Sequence, residues 1–246
     1  MIASFLPLIL PDELIYSFCA NYHRLSGNRS PHETRQALFC DATGTPDLAM
    51  FGSRLTPLVA AYGSENPCSV ANWIWAHTLY PLWGAFRDQS INDAWTLRVA
   101  EGRPAVVHAV VGQTTQAIFR HSLVLCPECV MEDTSSYGRP YWHRSHQPLG
   151  VAHCHRHHTP LVQFCASCGA PVSSAPAYSL PSRHCQRCGA ALLAPIKNLD
   201  SRDRQTSYAA LIHSTLTIDP TERYIGVNSN LHNFLASPRL EGASWD

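Results

Sequence analysis

At 246 residues, 45% of them hydrophobic and 15% charged, the chain has ample material for a buried core and is not disordered by composition. Its 18 basic and 18 acidic residues cancel, which argues against coating nucleic acid by bulk electrostatics. The only lysine, Lys197, sits in Pro195-Ile196-Lys197-Asn198 and not after a glycine, so a phosphate-binding GxxxxGK[ST] loop is excluded and with it a P-loop ATPase.

The apolar opening from Ile2 to Leu10 is short, broken by Pro7 and followed at once by Asp12 and Glu13, so it does not read as a leader. No run approaches the ~20 apolar residues of a membrane span. The expected compartment is a reducing cytoplasm, where clustered cysteines hold metal more often than they form disulfides.

Residues 1–120 read as a helical domain. Pro11 suits a first helical position, with Asp12 and Glu13 in the first turn and Leu14, Phe18, Tyr22 and Leu25 as an apolar stripe that Gly27 ends. Ser30-Pro31-His32-Glu33 is a capping box opening a second helix that runs to about Cys40. The pair is compatible with a helix-turn-helix, in which Arg29, His32 and Arg35 would line the entrance to DNA; a plain helical hairpin is the other reading. After a linker-like stretch from Asp41 to Pro46, Asn66-Pro67 opens a helix that Pro81 stops. Another is expected from Asp88 to Glu101 and a short one after Pro104. Trp73, Trp75, Trp83 and Trp95 are expected in a core, as are His77, His108 and the isolated Cys19, Cys40 and Cys68.

The remaining seven cysteines crowd into residues 121–195, a double zinc-binding module of knuckles, short strands and turns. Cys165/Cys168 and Cys185/Cys188 are two Cys-x2-Cys half-sites at zinc-ribbon spacing. Cys126/Cys129 pairs with Cys154 and a histidine: His157 gives a matching Cys-x2-His half-site, and His158 is the next candidate. Eight ligands for two ions leave no position open for water, so both zinc sites read as structural and no catalytic residue is assigned. From Arg120 to Lys197 the block carries a formal +4, which the thiolates largely cancel. Arg139, Arg144, Arg156, Arg183 and Arg187 remain candidate phosphate contacts, and Tyr141 and Trp142 are expected to pack the small zinc-centred core. Ser173 to Pro181 reads as a loop. Residues 196–246 should form short helices, near Arg204–Thr215 and Ser229–Leu235, and a polar tail. The fold class is thus mainly α with a small zinc-ribbon and zinc-knuckle module.

The opening Leu8-Ile9-Leu10-Pro11-Asp12-Glu13-Leu14-Ile15-Tyr16-Ser17-Phe18, continued by Tyr22-His23-Arg24-Leu25-Ser26-Gly27, resembles the start of the TniQ family. So does the order Cys126-Pro-Glu-Cys129, Tyr141-Trp142, His146-Gln147, Cys154-x2-His157, Cys165-x2-Cys168, over roughly residues 5–195. The resemblance implies a target-selection adaptor in bacterial DNA transposition. Such an adaptor links a site, found by its own DNA contacts or by a CRISPR effector complex, to an AAA+ ATPase. It also implies that the family's zinc motifs fall on the eight ligands above, which supports His157. Ending at residue 246 departs from longer members with further DNA-binding elements and favours a bridging role; a homodimer is a further expectation. The alternative is a stand-alone zinc-dependent transcription regulator.

Overall fold

The computed structural model describes residues 5–40, 55–62, 70–85, 89–100, 122–173, 177–193 and 202–218. Helices dominate: α1 (Ile15–Ser26), α2 (Pro31–Phe39), α3 (Leu55–Ala61), α4 (Val70–His77), α5 (Pro81–Gly84), α6 (Gln89–Ala100), α7 (Pro127–Tyr137) and α8 (Arg202–Thr217). A 3-10 turn covers Arg144–His146, and β pairing among the described residues is limited to isolated bridges. Cys68, His108, the Asp41–Pro46 linker, the Asn66-Pro67 helix start, the helix after Pro104, Ser229–Leu235, the tail and the Trp83 side chain lie outside the described residues.

The first helix departs from its sequence reading. It begins at Ile15 with Leu14 as an extended N-cap, and no acid sits in its first turn. Pro11 and Asp12 form a turn instead, and Glu13 bridges to His143. The reason is that residues 139–147 outcompete the helix dipole for both carboxylates. Glu13, fully buried, receives two hydrogen bonds of 2.7 Å from the Arg139 guanidinium. Asp12 accepts from Arg144 Nε at 3.0 Å and from the Ser145 hydroxyl at 2.6 Å. Backbone bonds from Leu14 N to Trp142 O (3.0 Å) and from Arg144 N to Asp12 O (2.9 Å) complete the seam.

Leu14, Phe18 and Tyr22 are buried as the stripe requires, but Leu25 is 51% exposed at the helix end. The Ser30 cap holds: its hydroxyl accepts from Glu33 N at 3.3 Å, while the Glu33 carboxylate reaches back to Arg29 N at 2.8 Å. Cys40 is not a core residue; it is exposed at the C-cap of α2 in a left-handed conformation. Pro81 does not stop α4, which ends four residues earlier at His77; it opens α5.

One apolar cluster runs through α1, α3, α4 and α6 and on into the cysteine block, with Trp73, Trp75, Trp95 and Trp142 all buried. Trp142 therefore serves this main core and not a separate metal-centred one, and its indole N–H donates to Ser179 O at 2.7 Å. The stretch expected as a loop is docked by the same residues: Tyr178 is buried against Tyr16, and Ser179 N donates to the Tyr16 hydroxyl at 3.1 Å. Only Cys126, Cys129, Cys154 and the half-buried Leu161 form a distinct small cluster. His77, expected from the sequence to be buried, is half-buried; its Nδ1 lies 2.9 Å from Glu13 O, and burial of the ring depresses its pKa to about 4.

Arg144 is the hub. Besides Asp12, its guanidinium donates to Trp75 O (2.6 Å) and Thr78 O (3.2 Å) at the end of α4 and to Leu216 O (2.8 Å) in the last turn of α8. Carbonyls at helix ends lack intrahelical partners and carry the negative end of the dipole, so one buried cation satisfies two helices at once. Beside it His143 lies between Asp133 (2.8 Å) and Asp12 (3.6 Å). Burial alone would lower its pKa, but the two carboxylates outweigh it and raise the value to about 9.

Two outcomes follow from this seam. Arg144→Met removes the guanidinium from Asp12 and from three carbonyls and should cost about 3–5 kcal/mol in a urea melt, the range for breaking a buried pair. His143, whose folded pKa exceeds its unfolded value of about 6.5, adds stability that is complete below pH 6.5 and disappears as pH rises through about 9. Melting temperature should therefore fall between pH 7 and 9 in the natural protein and stay flatter in His143→Gln.

Candidate metal centres

The cysteine block is built from one hairpin used three times. In each copy a cysteine amide bonds to a carbonyl five residues on: Cys154 to Thr159, Cys165 to Ala170 and Cys185 to Ala190, each at 2.8 Å. The cysteine carbonyl in turn accepts from His158, Gly169 or Gly189 at 2.8–2.9 Å. Bridges His153↔Pro160, Phe164↔Pro171 and His184↔Ala191 keep the same register, and Leu161, Val172 and Leu192 close the hairpins on Ala152, Gln163 and Arg183. The second donor of each copy is then His157, Cys168 or Cys188. The residue after it is left-handed in all three, with φ of 56°, 69° and 74° at His158, Gly169 and Gly189.

This register separates the two histidine candidates. His158 occupies the place of the knuckle glycines, and His157 occupies the place of a ligand. The fourth half-site is different: Cys126 is the N-cap of α7 and Cys129 lies in its first turn, where the helix N-terminus favours thiolates.

The eight residues named from sequence come together as two groups, Cys126/Cys129/Cys154/His157 and Cys165/Cys168/Cys185/Cys188, with the donor atoms of each within 4.8 Å of one another. Sulfur separations are 3.6 Å for Cys129–Cys154, 3.7 Å for Cys165–Cys188 and 3.6 Å for Cys168–Cys185. His157 Nδ1 lies 3.6, 3.3 and 3.6 Å from the sulfurs of Cys126, Cys129 and Cys154. Tetrahedral zinc with bonds of ~2.3 Å to sulfur and ~2.0 Å to nitrogen places sulfurs about 3.8 Å apart and sulfur and nitrogen about 3.5 Å apart. Disulfide sulfurs would stand at ~2.0 Å. The donor sets therefore fit a tetrahedral cation. Crowding by Cys126 and then Cys154 pushes the Cys129 thiol above its ordinary range, so ionising it beside its neighbours needs a positive charge among the sulfurs. The first group is buried except for His157, whereas Cys188 of the second is exposed.

The arginines expected to meet phosphates sort differently. Arg139 and Arg144 are buried in the seam with Glu13 and Asp12 and are not surface contacts. Arg156 pairs with Glu132 at 2.5 Å. Arg29 and His32 are exposed, and Arg35 is half-buried with its guanidinium over the Phe39 ring. Arg183 and Arg187 are exposed on the last hairpin.

The sequence reading passed over the acids. From Arg120 to Lys197 only Glu128, Glu132 and Asp133 are acidic, all on α7. Each is engaged: Glu128 accepts from the Thr159 hydroxyl at 2.5 Å, Glu132 faces His157 and Arg156, and Asp133 holds His143. Their isolation within an otherwise acid-free stretch was the available signal.

A helical protein whose N-terminal turn is locked into a block of paired metal half-sites is the class defined so far. A TniQ family model matches residues 4–161, more than half of the chain, and the chain belongs to that family. The match takes in the first donor group and stops before Cys165, short of the residue 195 expected from sequence. The chain is also similar to the Transposon Tn7 transposition protein TnsD of Escherichia coli, 24% identical over 156 residues, covering 61% of this chain and 30% of TnsD. It thus aligns with less than a third of that relative's length.

His158 supplies the test of the hairpin register. His158→Gly should keep the metal content and gain about 0.5–1 kcal/mol, because glycine adopts the left-handed region without penalty. His157→Ala should lose one ion per chain, read by elemental analysis of the purified protein.

Proposed function

We propose that this chain is a non-enzymatic adaptor in DNA transposition, joining a recognised target site to an AAA+ ATPase through a block held rigid by two structural zinc ions. Family membership is the observation that carries the reading, and the likeness to a Tn7 transposition protein supports it. The physical logic agrees. Four donors per ion leave no open coordination position, so the metals serve rigidity and not reaction. The seam through Glu13–Arg139 and Asp12–Arg144 fixes the helical part against that rigid block, as a protein that positions one partner relative to another requires.

In this reading Arg29, His32 and Arg35 at the start of α2, with Arg156 beside the first centre, supply contacts to DNA or to the ATPase. A CRISPR effector complex is the alternative source of target recognition. The setting is cytoplasmic; among the described residues no helix is long and apolar enough to cross a membrane.

Purified chain should retain about two zinc ions, as its donor sets require, and should co-assemble with its cognate ATPase on DNA. Electron microscopy of ATPase–DNA filaments with and without the chain provides the check. Filaments of identical length and position in both cases would refute the adaptor role, and loss of assembly after zinc removal would support the rigid-block argument.

A further inference from the structure

One difference among the three hairpins falls on a donor: His157 stands where the other two carry cysteine, and an imidazole offers two nitrogens where a thiolate offers one atom. Here Nδ1 faces the three sulfurs, at 3.3–3.6 Å. Nε2 points the other way, 3.1 Å from Glu132 Oε2. That oxygen is buried and no hydrogen bond satisfies it in the structure. The other carboxylate oxygen is tied to Arg156 at 2.5 Å. One turn earlier on the same face of α7, Glu128 grips the Thr159 hydroxyl, so helix and hairpin are clamped on both sides of the ligand.

We propose that Glu132 is a positioning residue for the first metal centre: it holds the proton on Nε2 of His157, selects Nδ1 as the donor atom and slows release of the ion. The inference rests on the reading that the centre holds zinc. The chemistry is direct. A neutral imidazole carries one N–H, and a carboxylate acceptor beside Nε2 keeps that proton there, leaving the Nδ1 lone pair for the cation. A hydrogen bond from Nε2–H to that carboxylate, which the 3.1 Å approach puts within reach, would also strengthen the metal bond. Arg156 keeps the carboxylate from swinging into solvent; its side chain and that of Glu132 are 38% and 43% exposed, so without the pairing Glu132 would have other rotamers open to it. The second donor set is four sulfurs and needs no tautomer selection.

The test compares Glu132→Ala, Glu132→Gln and Arg156→Gln with the natural full-length chain, following zinc release to excess chelator. Cobalt-substituted protein separates the two centres, since three-thiolate and four-thiolate sites absorb differently. Glu132→Ala should speed release from the first centre by about 10–100-fold and leave the second unchanged, which also reports that the chain has folded. Glu132→Gln, whose amide oxygen still accepts from Nε2–H, should stay within about threefold of the natural rate, and Arg156→Gln should fall between. Long-range ¹H–¹⁵N spectra should show His157 protonated on Nε2 in the natural protein and a shifted pattern in Glu132→Ala. An unchanged release rate in Glu132→Ala, or equal losses in the Ala and Gln variants, would overturn the assignment. Natural protein lacking a first-centre ion would instead defeat the metal reading itself.

Discussion

Two buried arginine–carboxylate pairs hold this molecule in its arrangement. Charges taken out of water are tolerated only when their partners are fixed and their remaining hydrogen-bonding capacity is used. Arg139 on Glu13 and Arg144 on Asp12 meet both conditions, and Arg144 adds three main-chain carbonyls from two helices. Because those partners come from the N-terminal turn, α4 and α8, no one of them can move alone. Around this fixed point the tryptophan-rich core, the docking of Tyr178 and the entry angle of α7 follow as ordinary packing.

The metal block contributes rigidity of another kind. A ten-residue hairpin repeated from Ala152, Gln163 and Arg183 sets its donors by backbone hydrogen bonds, before any side chain is considered. Two copies face each other across the second centre; the remaining copy faces the N-terminus of α7 across the first. The first centre is therefore the joint between repeat and helix, and it is there that two of the block's three acids, and one of its arginines, are spent.

What the sequence made legible divides along physical lines. Regular spacing showed the half-sites, the Ser30 cap and the helical periods, because these depend on neighbours a few residues apart. The fate of Asp12, Glu13, Arg139 and Arg144 did not show, because each choice depends on a partner more than a hundred residues away, and local rules assign acids to helix starts and arginines to surfaces. Cys40 misled for a related reason: its apolar surroundings suggested burial, while its backbone position as a left-handed cap put it in solvent. Spacing already favoured His157 over His158, and the hairpin register agrees, with His157 at the donor position and His158 at the left-handed turn.

The distance in sequence between the partners of the seam has its own consequence for how the chain is made. The N-terminal turn leaves the ribosome long before residues 139–147, and α1 must wait for them with Asp12 and Glu13 unpaired. Closing so long a loop is slow, although its entropic penalty grows only logarithmically with length. The contacts that Asp12 and Glu13 make with Arg144 and Arg139 can form only once residues 139–147 have been synthesised. The first-made part of the seam thus depends for its partners on a part made more than a hundred residues later.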